Sequence, residues 1–265
     1  MSGFERELSF ALEIAERAGG TAMRQFRRDI ASKQKSDGTW VTEADHSVES
    51  ELRDLIAHAH PGHNILGEEK GLAAAGGGPE IPGAPTWILD PIDGTNNYMA
   101  GIPIWATLIA LRVEHDIVLG ICHAPALSET YSAAADEPAR LNGDVIEVDP
   151  ADRLEDATVA SSGLESFIDQ GLADFYEQLV RRCWRSRGFG DFWGHMLVAQ
   201  GAVHIMVETV VSTWDYSALL PIISAAGGRI TGLDGSEPRD GGSCLSTNSK
   251  LHDDVLALVG VDSRG

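Results

Sequence analysis

Residues 87–98 read WILDPIDGTNNY. A short apolar run ends in Asp90, and Asp93 follows with Pro91 between them. A carboxylate that closes a buried strand is costly unless something answers its charge. Proline cannot continue a sheet ladder, so a sharp turn after Asp90 would carry Asp93 back beside it. Two like charges at close range require a shared proton or a cation. Gly94 lets the backbone approach a ligand, and Thr95 adds a hydroxyl. A short helix starting at Thr95 would aim free N–H groups at the same spot, which suits a phosphate. Carboxylates and an anion site belong together only with metal ions between them, and hard oxygen donors favour Mg²⁺ over zinc.

Other acids have plausible structural roles. Asp45 stands in the first turn of a helix at capping-box spacing from Thr42, where a carboxylate meets the helix dipole. Glu68 and Glu69 lie in the Gly-bounded stretch GEEKG, where a solvated turn accounts for them. Asp215 opens the stretch WDYSALLPIISAAGG, where N-capping accounts for it.

These residues need elements to hold them. Phe4, Leu8, Leu12, Ala15, Ala18, Ala22 and Phe26 recur at helical spacing and predict a first helix. A polar segment, ASKQKSDGTW, separates it from a second helix in VTEADHSVESELRDLIAHAH. Then NIL is a short strand and LAAAGGGPEIPGAP a surface loop. TWILD, WATLIALRV, IVLGICHA and ETYSAA read as strands, and Asn142-Gly143 as a turn. The second half alternates: strand ATVASS, helix ESFIDQGLADFYEQLV, strand or linker CWRSRG, helix DFWGHMLVAQG and strand VHIMVE. A helix over WDYSALLPIISAAGG ends in glycines, and RITGLDG, SCLSTN and a last helix HDDVLALV follow. The expected class is α/β (α+β) in layers, a single unit over 1–265 with halves near 1–150 and 151–265.

The 265 residues are 43% hydrophobic, with a formal net charge of −20. Such a chain repels nucleic acid and anionic membranes. No apolar run approaches a membrane span, and the charged N-terminus lacks the apolar core of a signal peptide; a cytoplasmic protein is expected. Cys122, Cys183 and Cys244 are widely spaced with no CxxC, giving neither a disulfide framework nor a thiolate metal site.

GEEKG, WILDPIDGTNNY and WDYSALLPIISAAGG, in this order and with VTEAD before them, resemble the inositol monophosphatase family of Mg²⁺-dependent, lithium-sensitive phosphatases. The resemblance covers nearly the whole chain. It implies an αβαβα sandwich, usually homodimeric, acting on a small phosphate monoester with two or three Mg²⁺ ions. It implies that Glu68 binds a first metal with the Ile92 carbonyl, that Asp90 bridges two metals, and that Asp93 and Asp215 bind the second. Asp93, Gly94 and Thr95 would meet the phosphate, Thr95 and Asp45 would orient the attacking water, and Glu69 would support Glu68. Two such ions about 3.5–4 Å apart acidify a water and stabilise a leaving alkoxide. His123 and His195 are conceivable nucleophiles that this chemistry does not need.

Within the family, RGFGDFWGHMLVAQG is similar to the bacterial histidinol-phosphate phosphatases. Asp191 and Glu208, with Asp215, would face the leaving group, and two acids there suit a cationic amino alcohol better than a neutral polyol. Phe192 or Trp193 would flank an imidazole; the alternatives are that both aromatics are core and that Asp191 caps its helix. The chain departs from the family at His204, where Asp is expected, at Asn96, and in a shortened segment at 132–144. The rivals are an inositol or other small sugar or nucleotide phosphatase of the same fold, and a non-catalytic binder of divalent cations.

Overall fold

The computed structural model describes residues 3–28, 31–35 and 38–260. Helix α1 (Glu5–Gln25) leads through a small hairpin, β1 (Ser32–Gln34) and β2 (Trp40–Thr42), to α2 (Glu43–Ala59). Next come β3 (Asn64–Gly67), β4 (Gly71–Ala74), β5 (Thr86–Asp93) and the one-turn helix α3 (Thr95–Met99). Strands β6 (Ala106–Val113), β7 (Asp116–Ala124), β8 (Glu129–Ala134), β9 (Arg140–Leu141) and β10 (Asp144–Val145) follow. The second half runs β11 (Thr158–Ser161), α4 (Leu164–Asp169), α5 (Ala173–Arg182), β12 (Arg185–Arg187), α6 (Asp191–Ala199) and β13 (Ile205–Val211). It closes with α7 (Thr213–Ser217), α8 (Leu219–Ala225), β14 (Arg229–Thr231), β15 (Gly242–Thr247) and α9 (His252–Val259).

Two sheets and three helical layers alternate, as the αβαβα expectation requires. The larger sheet has the order β10-β9-β8-β7-β6-β5-β3-β4, the smaller β12-β11-β13-β15-β14. Ala11, Ile14 and Ala18 of α1 and Val48 and Leu52 of α2 pack on one face of the larger sheet, against Trp87, Leu89, Ile109 and Ile121. Its other face, with Ile88, Leu108 and Cys122, meets α6 and α8 through Met196, Leu219 and Ile222, and Met206 and Cys244 of the smaller sheet join that core. The smaller sheet's outer face holds Val159, Ile205 and Leu245 against Phe167, Phe175 and Val255 of α4, α5 and α9. A strand covered by helices on both faces must be apolar at every position, which explains why TWIL shows no alternation.

The structure corrects several sequence expectations. Strand β5 runs on to Asp93 instead of turning after Asp90. Asp90 pairs with Leu108 and Asp93 with Ala106, so β5 advances three residues while β6 advances two. Residues three apart on a regular strand face opposite ways; one extra residue, a β-bulge, returns both carboxylates to the same side. A bulge also tolerates Pro91, which has no N–H to give. The loop LAAAGGG begins as β4, and the polar ASKQKSDGTW supplies β1 and β2, with residues 36 and 37 outside the described set. The ESFIDQGLADFYEQLV helix is two, α4 and α5, separated at left-handed Gly171 (φ 70°). WDYSALLPIISAAGG likewise divides into α7 and α8, because Pro221 cannot donate to the carbonyl four residues back.

Other expectations hold. Thr42 and Asp45 form a reciprocal capping box at the start of α2. Asn142 and Gly143 turn between β9 and β10 with φ of 51° and 92°, the left-handed pair of a tight hairpin. The three cysteines are free, with Cys122 and Cys244 buried in the middle core. Among the described residues no helix is long and apolar enough to cross a membrane.

Helix α3 is anchored to the first layer by Tyr98, whose buried hydroxyl donates to the Ala22 carbonyl at 2.7 Å. Tyr98→Phe would remove one of two bonds to that carbonyl, which also accepts the Phe26 N–H at 3.0 Å, and is expected to cost about 1 kcal/mol in urea unfolding. An unchanged midpoint would show that the contact carries no stability.

Candidate functional site

Strand β5 and helix α7 deliver their acids to the same point. One carboxylate oxygen from each of Asp90, Asp93 and Asp215 lies within 4.8 Å of the others. Asp90 is enclosed, at 2% exposure, and one of its oxygens accepts the Ile92 N–H at 3.0 Å. Asp215 does not cap α7 as its first residue; Ser212 is the N-cap, and Asp215 accepts the Ser212 N–H at 2.7 Å from the third helical position. That bond uses only one of its two oxygens.

The cluster forms the floor of a cleft of about 710 Å³. Thr39 and Trp40 of the first hairpin line it, as do Ser161, Ser162, Phe189 and Asp191. Gly94, which also lines it, takes a left-handed φ of 82°, and a Cβ there would fall 3.0 Å from the Ile104 carbonyl. Only glycine satisfies both limits, and the helix α3 starts directly after it.

Burial is the first cause of the electrostatics here. It raises Asp90 and Asp93 well above the usual carboxylate range, and neighbouring carboxylates push further in the same direction: Glu68 foremost on Asp90, Asp191 foremost on Asp93. Asp215 and Asp191 are each raised to about 7, again by burial first. Asp45 is raised by burial, partly offset by its bonds from Thr42. The Thr42 N–H donates to Asp45 Oδ2 at 2.8 Å, and its other oxygen, Oδ1, lies 3.4 Å from Thr95 Oγ1. The same hydroxyl is 3.0 Å from the Ile92 carbonyl, so Thr95 links Asp45 to β5.

Glu68 and Glu69 follow β3 in the turn before β4. Lys35, between the first two short strands, places Nζ 2.8 Å from Glu68 Oε1 and 2.7 Å from Glu69 Oε1. Sequence reasoning passed over Lys35 because it sits in a polar stretch of no marked pattern. Its only signal is rarity in a strongly acidic chain whose basic residues are mostly arginine.

Asp191 and its neighbours match some expectations and correct others. Asp191 begins α6 at a left-handed φ of 57°, a conformation that Asp tolerates better than most side chains. It makes no helix-capping bond; its Oδ2 accepts from Asn97 Nδ2 at 3.0 Å. Glu208 is not among the cleft-lining groups, yet its charge acts on Asp191, Asp215 and Asp93. Phe192 is buried in the middle core, at 1% exposure, and does not reach the cleft. Trp193 bonds Glu129 through Nε1 at 3.2 Å and packs edge-on against Phe189. The aromatic groups that line the cleft are Phe189 and Trp40. His195 is fully buried between Ser246 and Glu208, and His123 bonds Thr130, so neither stands in the cleft. His204 accepts the Thr158 N–H at Nδ1, so Nε2 carries the proton toward Asp149 at 3.2 Å; its place is structural.

A family model for the inositol monophosphatase family matches residues 5–260. The chain belongs to that family. It is 37% identical to the histidinol-phosphatase of Streptomyces coelicolor, over 98% of this chain and 98% of that one. It is 39% identical to the histidinol-phosphatase of Mycobacterium tuberculosis, over 96% and 97% of the two chains. Among solved structures the IMPase of Thermotoga maritima superposes with a TM-score of 0.85 at 29% identity, covering 96% of this chain and 97% of that one. The family is one of metal-dependent phosphatases, and the buried Asp90–Asp93–Asp215 group offers the hard oxygen donors such an ion takes.

Asp191 and Asp215 go from an ordinary 3.8 to about 7, so the fold favours their protonated forms. That contribution to stability is complete below the ordinary value and is lost as pH rises through about 7. The metal-free protein is expected to lose thermal stability between about pH 4 and about pH 7, and added Mg²⁺ to restore more at the higher pH. A midpoint that rises across this window would contradict the clustering.

Proposed function

We propose that the chain is a Mg²⁺-dependent phosphate monoester hydrolase that converts L-histidinol phosphate and water to L-histidinol and phosphate. One observation carries the reading: three carboxylates converge in a cleft that Asp191 also lines, close beside Asp93. A phosphate dianion is repelled by the floor alone, so the floor calls for cations. Glu68, Asp90, Asp93, Asp215 and the Ile92 carbonyl would hold two or three Mg²⁺. Ions held there supply charge neutralisation of the ester, an acidified water and a stabilised leaving oxygen.

The chain's own groups do the rest. The N–H groups of Gly94 and Thr95 are free to bind phosphate oxygens, because the first N–H groups of a helix have no intrahelical acceptor. Thr95 and Asp45 orient the attacking water, and Asp45 can take up its proton through the Thr95 hydroxyl, 3.4 Å away. Glu69, with Lys35, steadies Glu68. On the leaving side, Asp191 and the Glu208 charge behind it suffer mutual repulsion, which an ammonium group relieves and a neutral polyol does not. Phe189 and Trp40 offer faces for an imidazole. The two curated relatives at 37% and 39% identity are histidinol-phosphatases, in agreement with this substrate. The likeness to the Thermotoga IMPase keeps inositol 1-phosphate as the second reading. The family resemblance implies a homodimer, which sedimentation of the purified protein tests, and the charged N-terminus with no apolar span favours a cytoplasmic setting.

Turnover of L-histidinol phosphate is expected to exceed that of inositol 1-phosphate in the same Mg²⁺ buffer, with Li⁺ inhibiting; a reversed preference would assign the second reading. Asp93→Asn is expected to lower kcat by about a thousandfold, or about 4 kcal/mol, with the fold intact. Retained turnover would sink the assigned role, and a wild-type chain inert toward every monoester offered would leave only cation binding. Asp191→Ala should cost about 10- to 100-fold with the cationic ester and little with inositol 1-phosphate.

A further inference from the structure

Glu49 is fully buried on α2, one helical turn after Asp45, and touches no part of the cleft. A buried carboxylate must find partners, and those of Glu49 are concentrated on a single turn. Its Oε2 accepts the Glu69 N–H at 2.7 Å, and its Oε1 accepts the Lys70 N–H at 3.2 Å. Arg53 Nε donates to the same Oε1 at 2.7 Å, while the Arg53 guanidinium reaches on to the Gly71 carbonyl. A Cβ on Gly67 would lie 2.4 Å from Glu49 Oε1. The carboxylate therefore fills the side-chain space of the residue before Glu68 and holds the N–H of the residue after it. Glu68 adds a backbone bond of its own, from its N–H to the Leu89 carbonyl at 3.2 Å, next to Asp90.

We infer that Glu49 is a positioning residue for cation binding: from beneath the turn it fixes the direction of Glu68 toward the Asp90 cluster. The inference rests on the Mg²⁺-dependent reading. Because Asp45 and Glu49 are four apart on one helix, the same rigid element sets the Asp45 carboxylate and the Glu68 turn at a constant separation. Glutamine keeps the shape of Glu49 but turns an NH₂ toward N–H groups that need an acceptor. The turn is then free to move, and Glu68 loses its aim while Asp90, Asp93 and Asp215 keep theirs.

The test is calorimetric titration of Mg²⁺ into the metal-free protein, wild type beside Glu49→Gln, with thermal unfolding of each. A dissociation constant raised about tenfold is expected, with turnover recovering when Mg²⁺ is raised to saturate the variant. A lowered unfolding midpoint with an unchanged Mg²⁺ constant would overturn the inference and leave Glu49 a purely structural group. If Glu49→Gln does not fold, Arg53→Gln, at a half-buried position, takes its place; it is expected to shift the constant in the same direction, and no shift would again overturn the inference. A wild-type chain that binds no Mg²⁺ would instead overturn the functional reading together with the inference drawn from it.

Discussion

Buried like charge is the constraint on which this molecule is organised. Asp90, Asp93, Asp215, Asp191 and Glu68 are brought into mutual range inside a protein, where each raises the cost of ionising the next. Nothing in folding rewards such a grouping, so the surrounding structure has to impose it. The β5 bulge turns two carboxylates to one side, the α7 capping box directs a third, and the first hairpin swings an ammonium group across the fourth. The strain is answered by countercharge in two forms, one tethered as Lys35 and one to be taken from solution. A site that is unstable when ionised and empty is by the same physics one that binds cations well.

The layered frame explains how so much imposed geometry is sustained. Strand β5 is central to the larger sheet and covered by helices on both faces, so its end is held by packing it cannot escape. Each acid is then fixed by a backbone N–H: Ile92 to Asp90, Phe192 to Asp93, Ser212 to Asp215 and Thr42 to Asp45. Backbone donors move only if the fold moves, which makes them better locators than flexible side chains.

Much of this was legible from residue order, and the failures have physical causes. The long helices and apolar strands follow from periodicity, and the acids follow from motifs whose spacing is local. At Pro91 the sequence suggests a turn where the chain makes a bulge, because a proline says only that the ladder is interrupted, not how the chain resumes. Strands β1 and β2 are not legible in the sequence, because three-residue strands of polar composition are specified by their partner, not by themselves. Phe192 and Trp193 were both candidates for the cleft because adjacent residues share a motif but not a direction; α6 points Phe192 into the core and leaves Phe189, before the helix, at the opening. Glu49 and Lys35 carry no motif of their own. Their importance lies in contacts about 20 or more residues away along the chain, which no spacing rule reaches.

The bond from the Phe192 N–H to Asp93 Oδ2, 2.8 Å long, joins the residue after Asp191 to the carboxylate floor. It couples two properties that would otherwise vary independently. On the proposed reading, a loop graft over 187–193 meant to change which alcohol is accepted would also reset the hydrogen bond that orients Asp93, so altered selectivity would arrive with an altered affinity for the ion. Diversification of this scaffold is therefore restricted to loops that keep an amide at that point, whatever side chains they carry beside it.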